Sequence, residues 1–194
     1  MLKKTSLFAV LLLVVMLSLW GEETYIIFNE SNESQEEAKL ETIHLLTDHS
    51  NWIKKVVLSP DQTKLLSSST DLDVKLWDLK TGELIDTYTA HEGSVDALAF
   101  SNDGVTFVSA DARGNVIGWD IESTTPAWKI QAYDNEGINT MLITDSGQLI
   151  LGGNGKIIQV RSMKTREIIH KLIGHTEPVE DLAMSPEGEL LSVS

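Results

Sequence analysis

The chain has 194 residues, 42% of them hydrophobic, so it is long enough for one domain with a real core, and global disorder is excluded. Its formal net charge of −14 argues against a surface for nucleic acid or an anionic membrane, because phosphate binding requires clustered Lys and Arg. The absence of cysteine excludes disulfides, thiol catalysis and lipid attachment through sulfur.

Residues 1–21 combine a basic start with an apolar run. Lys3-Lys4 precede an apolar stretch over residues 7–20 that is interrupted only by Ser18. This is the layout of a secretory signal peptide, although no Ala-x-Ala cleavage motif is present. The stretch is shorter than the roughly 20 apolar residues of a spanning helix. The sequence therefore predicts a signal peptide or, if uncleaved, a membrane anchor, with the rest of the chain secreted, periplasmic, lumenal or tethered outside the cytoplasm.

Residues 22–40 form an acidic segment with six Glu and one Lys. Apart from Tyr25-Ile26-Ile27-Phe28 it has nothing to bury, so we expect a solvated linker. Asn29 and Asn32 each begin an Asn-x-Ser sequence, the acceptor pattern for glycosylation in a eukaryotic secretory pathway.

From residue 41 onward the sequence repeats with a period of 42 residues. Trp77-Asp78 returns 42 residues later as Trp119-Asp120, and the same interval joins a second series that consists of His49, His91, Tyr133 and His175. A fixed period of this size, with a His near its start and Trp-Asp at the end of a predicted strand, is typical of stacked four-stranded units. Over about residues 41–194 the sequence therefore resembles the WD-repeat family of β-propellers, the G-protein β-subunit-like repeats.

The resemblance implies an all-β fold of propeller blades. A predicted strand at 41–46 has the outer-strand character that completes the last blade in this family. About 3.7 repeats follow from the period, whereas propellers need four to eight blades, so we expect an incomplete ring, a fragment of a longer propeller protein, and an open blade edge capable of self-association. The predicted repeats are residues 49–90, 91–132, 133–174 and, in part, 175–194.

The resemblance also implies a hydrogen-bonded network of His, Ser or Thr, Asp and Trp inside each blade. In the first repeat all four positions are matched, by His49, Ser67, Asp71 and Trp77. The second repeat has His91, Ser109 and Trp119, but Arg113 stands where Asp is expected. We expect this second network to be incomplete or to use the nearby Asp111.

The later repeats depart further from the pattern. In the third repeat Tyr133 replaces His and Arg161 replaces Trp, so we expect no such network there. The fourth keeps His175, but the expected Ser position holds Val193, between Ser192 and Ser194.

Several catalytic and ligand-binding interpretations fit less well. Ser, His and Asp together suggest a hydrolase triad, but recurrence of the His-Ser pair at one spacing favours a structural brace. Gly152-Gly153-Asn154-Gly155-Lys156 lacks the Ser or Thr of a phosphate loop and precedes a strand. Neither Asp71-Leu72-Asp73 nor residues 134–137 fit a twelve-residue calcium loop. We therefore expect no catalytic residue, no metal and no cofactor.

The resemblance favours a non-catalytic scaffold that binds proteins. Residues 1–21 predict that it is exported or membrane-tethered, with membrane contact only through those residues. The partner is not identified, and nucleic acid is not expected. The alternative is that the chain is part of an exported propeller enzyme, or of a ligand-binding protein, that uses the central channel. A third possibility is a truncated product without a function of its own. The candidate contact residues for a partner are Trp52, Glu92, Tyr133, Glu136 and Glu177. The other interpretation of Trp52 is that it packs against a neighbouring blade.

Overall fold

The computed structural model describes the backbone of residues 12–19, 22–29 and 41–43 and all atoms of residues 44–194. The chain divides into two units, Met1–Asp48 and His49–Ser194. All regular secondary structure in these described ranges is β-strand, which confirms the all-β prediction. Within them no helix has the length and apolar character needed to cross a membrane.

The first unit contains one three-stranded antiparallel sheet in the order β1-β2-β3. Its strands are β1 (Leu12–Leu19), β2 (Glu22–Asn29) and β3 (Glu41–Leu46). Leu12 of β1 lies opposite Asn29 of β2, and Glu41 of β3 lies opposite the same residue. Each strand therefore pairs with a neighbour inside this unit.

Two strands of this sheet lie in segments for which the sequence predicts an export signal and a linker. β1 lies in the predicted export segment, and β2 lies in the predicted linker, where Tyr25-Ile26-Ile27-Phe28 supplies the β-branched and aromatic residues that favour strands. β3, expected to complete a propeller blade, has β2 as its hydrogen-bonded neighbour. Lys3-Lys4 and residues 30–40 lie outside the described part of the chain.

The second unit consists of three four-stranded antiparallel blades and a two-stranded fourth blade, and in each full blade the strands follow one another in chain order across the sheet. Blade 1 contains β4 (Ile53–Leu58), β5 (Lys64–Ser69), β6 (Asp73–Asp78) and β7 (Leu84–Thr89). Blade 2 contains β8 (Val95–Phe100), β9 (Thr106–Asp111), β10 (Asn115–Asp120) and β11 (Ser123–Gln131). Blade 3 contains β12 (Ile138–Ile143), β13 (Gln148–Gly153), β14 (Ile157–Ser162) and β15 (Ile168–Ile173). Blade 4 contains β16 (Asp181–Met184) and β17 (Leu190–Val193).

The blades pack face against face, because successive side chains of a strand point to opposite sides of its sheet. In β9, Phe107 packs towards blade 1, whereas Val108 packs towards blade 3. Between blades 1 and 2 the ring of Tyr88 lies 4.8 Å from that of Phe107 and 5.3 Å from that of Trp119. Such edge-on aromatic pairs add about 0.5–1.5 kcal/mol each to the burial of apolar area. The blade interfaces, not the individual sheets, therefore form the core.

The other two interfaces are built in the same way. Small residues of blade 2, including Ala97 and Ala110, meet Met141 and Leu149 of blade 3. Between blades 3 and 4 the buried residues are Ile150, Ile158, Val160, Val179 and Leu182. The first strands β4, β8, β12 and β16 contact one another in turn, so they line the same side of the blade stack.

Candidate functional site

Blade 1 contains a hydrogen-bonded network that links four side chains. His49 Nδ1 lies 2.8 Å from Asp71 Oδ2, and His49 Nε2 lies 2.8 Å from Ser67 Oγ. The indole Nε1 of Trp77 donates to the same Ser67 oxygen at 2.8 Å. An indole N–H can only donate and a carboxylate can only accept, so Trp77 donates to Ser67 Oγ and His49 Nδ1 donates to Asp71. In the neutral ring, His49 Nε2 is then the acceptor of the Ser67 hydrogen.

The electrostatics of this network agree with that assignment. Burial lowers the pKa of His49 below its ordinary value of 6.5, which favours the neutral ring. Burial alone would raise the pKa of Asp71, but hydrogen bonds from His49 and from the backbone N–H groups of Ser50 and Asp73 outweigh it. The pKa of Asp71 therefore lies below its ordinary value of 3.8, and the carboxylate stays charged.

Blade 2 forms the corresponding network with a displaced acid. His91 Nε2 lies 2.6 Å from Ser109 Oγ, which also accepts the indole N–H of Trp119 at 2.8 Å. His91 Nδ1 lies 2.9 Å from Asp111 Oδ2, so of the two alternatives for this repeat the structure has the one that uses Asp111. Arg113, at the position of Asp71, has a mostly exposed side chain 3.9 Å from Glu92.

Asp111 is fully buried and accepts several hydrogen bonds besides the one from His91. Its Oδ1 accepts from the backbone N–H groups of Arg113 and Asn115, and the side-chain amide of Asn115 contacts both carboxylate oxygens at 3.2 and 2.9 Å. Burial opposes ionisation, yet the bonds from His91 and Asn115 hold the pKa of Asp111 at about 2. The repeat pattern does not identify Asn115 as part of this network, since only the turn between β9 and β10 brings its side chain to Asp111.

Blade 3 replaces this network with a different one. The Tyr133 hydroxyl lies within hydrogen-bonding distance of the carbonyl oxygens of Leu151 (3.0 Å) and Ile157 (2.6 Å). Arg161 is half-buried; its Nε donates to Gln159 Oε1 at 2.8 Å and its Nη1 to the Arg166 carbonyl at 2.8 Å. Polar groups at the His and Trp positions are thus satisfied mainly by the backbone.

The prediction that Tyr133 contacts a partner is wrong, because the structure buries this residue. Tyr133 is only 7% exposed, because its ring packs into the interface between blades 2 and 3. Burial also raises the pKa of Tyr133 to about 12, so the hydroxyl keeps its proton for the carbonyl groups. A side chain held in this way has no surface to offer to a partner.

In blade 4 the structure places Ser192, not Val193, at the Ser position. His175 Nε2 lies 2.8 Å from Ser192 Oγ, and His175 Nδ1 lies 2.7 Å from Ser194 Oγ. The cause is a hairpin one residue shorter than that of blade 2: Phe100 pairs with Phe107 there, whereas Met184 pairs with Leu190 here. A one-residue shift moves every side chain to the other face of the sheet, so counting by 42 selects the wrong residue.

The remaining candidate contact residues share one end of the blades. Each precedes the first strand of its blade, and all are exposed, so we call them the strand-start surface: Trp52, Glu92, Glu136 and Glu177. Trp52 is 69% exposed, which disagrees with the interpretation that it packs against a neighbouring blade. Glu92 lies 3.2 Å from Lys129 Nζ.

Comparison with known proteins gives a family match over more than half of the chain. The protein-family model described as "WD domain, G-beta repeat" matches residues 40–78, 82–120 and 166–194. The residues between the second and third matches contain most of blade 3, where Tyr133 and Arg161 replace the His and Trp of the other blades.

The matches to curated relatives extend over most of this chain but over only 16–51% of each relative's length. Periodic tryptophan protein 2 of Arabidopsis thaliana is 31% identical over 141 residues, which are 72% of this chain and 16% of that protein. WD repeat-containing protein SL1-17 of Schistosoma mansoni is 26% identical over 155 residues, 80% of this chain and 51% of that protein. WD repeat-containing protein AAC3 of Dictyostelium discoideum is 30% identical over 159 residues, 78% and 33% respectively. The chain thus spans about half or less of each of these relatives, and the repeats, the blades and these matches together show that it belongs to the WD-repeat family.

Proposed function

We propose that this chain is a non-catalytic scaffold that binds another protein through the strand-start surface. WD-repeat relatives support the scaffold class. The observation that carries the choice of surface is Trp52, an indole 69% exposed at the start of blade 1. Aromatic anchors of this kind supply much of the binding energy at protein interfaces.

Trp52 is also held in a defined place before any partner arrives. Its backbone N–H donates to Asn51 Oδ1 at 2.8 Å, and its carbonyl accepts from the backbone N–H of Thr70 at 2.8 Å. A preorganised backbone lowers the entropy that binding must remove. The exposed carboxylates of Glu136 and Glu177 precede the first strands of blades 3 and 4, whereas Glu92, before that of blade 2, is paired with Lys129, so a partner with a basic face complements the part of this surface formed by Glu136 and Glu177.

The burial of the polar networks supports a structural role over hydrolysis. The side chains of His91 and Asp111 are 0% exposed, and Ser109 is fully buried. A nucleophile must reach its substrate, whereas the Ser109 hydroxyl already uses its hydrogen on His91 and accepts from Trp119.

The test compares Trp52→Ala with Val105→Ala, a matched loss of an exposed apolar side chain (51% exposed) from the turn between β8 and β9. The full chain and both variants are used to isolate binding proteins from the source organism, and the affinity of each isolated protein is then measured by calorimetry. We expect Trp52→Ala to weaken binding by about 30-fold or more, the effect of a central aromatic anchor, and Val105→Ala to leave it unchanged. Equal affinities for all three chains would contradict the proposal.

We also propose that the chain is exported or membrane-tethered, on the basis of Lys3-Lys4 and the apolar stretch over residues 7–20. Fusion of residues 1–40 to a reporter that is active only outside the cytoplasm tests this. We expect activity from the fusion and a loss of activity when a charged residue replaces Leu13, because a charge interrupts the apolar stretch. A silent, cytoplasmic fusion would refute export.

A further inference from the structure

The hairpin of β14 and β15 concentrates positive charge in an otherwise acidic molecule. The whole chain has 15 Lys and Arg against 29 Asp and Glu. Within residues 156–171 the carboxylate of Glu167 stands against five cations, which are Lys156, Arg161, Lys164, Arg166 and Lys171. The hairpin belongs to blade 3 and borders blade 2, and both blades have all four strands. Charge of one sign gathered on one hairpin attracts a ligand of the opposite sign.

Arg161 places one of these charges at the interface with blade 2. It stands where Trp77 and Trp119 stand in the first two repeats. Its side chain is half-buried, and burial lowers the pKa of Arg161. The guanidinium donates to neutral oxygens, those of Gln159 and of the Arg166 carbonyl, and no described carboxylate forms an ion pair with it. The interface therefore contains a partly desolvated positive charge that is not offset by an anion of the described chain.

Arg166 occupies a turn position whose backbone favours glycine. The turn after β14 has the sequence Lys164-Thr165-Arg166, and two periods earlier the turn after β6 has Lys80-Thr81-Gly82. The φ angles of Arg166 and Gly82 are 66° and 74°, in the left-handed region that disfavours a side chain. The turn itself therefore does not require an arginine. Backbone strain of this kind is found at ligand-binding sites.

The guanidinium of Arg166 has hydrogen-bond donors that are not in use. It lies over the ring of Trp128 at 5.0 Å, and its Nη1 donates to the Lys164 carbonyl. Its Nε has no acceptor among the described residues. A guanidinium has five N–H donors and no acceptor, so the outer N–H groups that remain can hold a carboxylate. Arg166 and Trp128 thus form a charged wall and an apolar wall of a groove between β11 and β15.

β15 adds an open strand edge and an apolar side chain to this groove. It pairs with β14 alone. Lys171 lies opposite Gln159, whose side chain donates to the carbonyl of Ala132 at the end of blade 2. Lys171 and, two residues later, Ile173 therefore point to the same side of the sheet. Ile173 is 81% exposed. A ligand that matches this edge carries acidic and apolar side chains on one face.

We propose that the groove beside β15 binds an acidic, extended segment of a partner protein. The segment pairs with the free edge of β15, its carboxylates bond to Arg166 and Lys171, and an apolar side chain covers Ile173. The charge of Arg161 behind them adds to the attraction. Backbone hydrogen bonds along the edge give affinity, and the alternating side chains give specificity.

A protein segment fits this groove better than RNA or an anionic membrane. The net charge of −14 repels a surface or polymer of phosphates. Ile173 requires an apolar neighbour, which a phosphate backbone does not offer. The groove takes the charge opposite to that of the ligand expected at the strand-start surface, so the two surfaces serve different ligands.

The experiment titrates the full chain with a labelled synthetic peptide of about eight residues that alternates Glu and Val. The control peptide carries Gln in place of each Glu. We expect saturable binding of the Glu peptide and at least about tenfold weaker binding of the Gln peptide, since charge-assisted hydrogen bonds are lost. We also expect the affinity of the Glu peptide to fall as the salt concentration rises.

Variants of the chain locate the binding site. Arg166→Gly, which gives this turn the residue of blade 1, is expected to weaken binding by about tenfold, and thermal unfolding checks that the variant keeps its fold. Lys171→Gln is expected to weaken binding by about threefold. Its matched control is Lys129→Gln, since Lys129 stands one period earlier but faces Glu92. Lys129→Gln and Trp52→Ala are expected to change nothing, so this proposal and the proposed function fail separately.

Hydrogen exchange provides a second measurement that does not depend on the variants. We expect the Glu peptide to slow amide exchange in β15 and not in β11. Absence of saturable binding, equal binding of the two peptides, protection outside β15, or equal losses from Lys171→Gln and Lys129→Gln would overturn the proposal. Binding of phosphatidylserine vesicles that is lost with Arg166→Gly would assign the groove to lipid and overturn it too. A dimer of the chain that dissociates with Arg166→Gly would do so by assigning the groove to a second copy.

Discussion

At the scale of the residue, one serine hydroxyl organises each of the first two blades. Ser109 Oγ accepts a hydrogen bond from Trp119 and donates one to His91, which in turn donates to Asp111. None of these groups faces water, so each depends on the others for its hydrogen bonds. Loss of the hydroxyl therefore leaves two buried partners without a bond.

We predict that Ser109→Ala lowers the free energy of unfolding by about 2 kcal/mol or more, because each of the two orphaned buried partners costs about 1–3 kcal/mol. Ser68→Ala is the matched control, because Ser68 is equally buried in β5 but its hydroxyl has no partner among the described residues. We expect that change to be nearly neutral. Denaturant titration of both variants measures the difference, and similar losses would show that the network is not the reason.

The same network predicts how stability depends on pH. The pKa of Asp111 falls from 3.8 in the unfolded chain to about 2 in the fold, so the unfolded chain takes up the proton first as the pH falls. Stability of about 2 kcal/mol is therefore present above pH 3.8 and lost towards pH 2. The pKa of His49 is lowered from 6.5, so a further part is lost as the pH falls below 6.5.

Thermal unfolding between pH 7 and pH 2 tests this dependence. Asp111→Asn is expected to unfold more easily at pH 7 and to lose most of the change between pH 4 and pH 2. Asp120→Asn, at the exposed end of β10, keeps the profile of the original chain. A variant profile parallel to the original over the whole range would contradict the assignment to Asp111.

At the scale of the element, blade 2 differs from its neighbours in how its third strand fills the interface with blade 3. Gly118 of β10 stands where Leu76 and Val160 stand in blades 1 and 3. The indole of Trp128, from β11, occupies the space in front of Gly118, where an added Cβ would lie 2.1 Å from the ring. The Arg166 guanidinium covers that ring at 5.0 Å, so one strand supplies the volume that the other lacks.

We predict that Gly118→Ala destabilises the fold by about 1–3 kcal/mol through overpacking against Trp128. Gly174→Ala is the control, since an added Cβ there meets no atom within 4 Å. Combining Gly118→Ala with Trp128→Leu is expected to recover part of the loss, because the smaller side chain leaves room for the methyl group. Strictly additive losses in unfolding titrations would show that the two residues are independent.

At the scale of the whole molecule, three blades bury each other while the fourth leaves a strand edge and apolar side chains exposed. Leu191 and Val193 of β17 are 58% and 62% exposed, next to backbone groups that pair with no strand in the described chain. Edges of this type promote association with other chains. The predicted self-association of the open blade edge therefore has a specific location.

We predict that light scattering by the full chain rises with concentration, and that Leu191→Lys with Val193→Lys reduces the rise, because charge on an edge opposes strand pairing. Val105→Lys is the control, since Val105 is as exposed (51%) but lies in a turn away from that edge. A concentration-independent monomer, or equal reduction by the control, would contradict this location.

The sequence alone determined the blades, because each is encoded by local patterns: alternating apolar residues, turn residues between them, and Trp-Asp at a period of 42. The same patterns located His49, Ser67, Asp71 and Trp77, which the structure brings into one network. Residue spacing sufficed there because blade 1 keeps the repeat without insertion or deletion.

Only the tertiary structure decided the features that depend on register and on distant neighbours. Asp111 acts in place of Arg113 because the end of β9 faces His91, and Ser192 takes the place of Val193 because one turn is a residue shorter. Tyr133 is buried because blade 2 covers it. β2 likewise lies in a segment whose charge predicts a linker. A strand pairs or a side chain is buried according to what lies opposite it, and spacing along the chain does not carry that information.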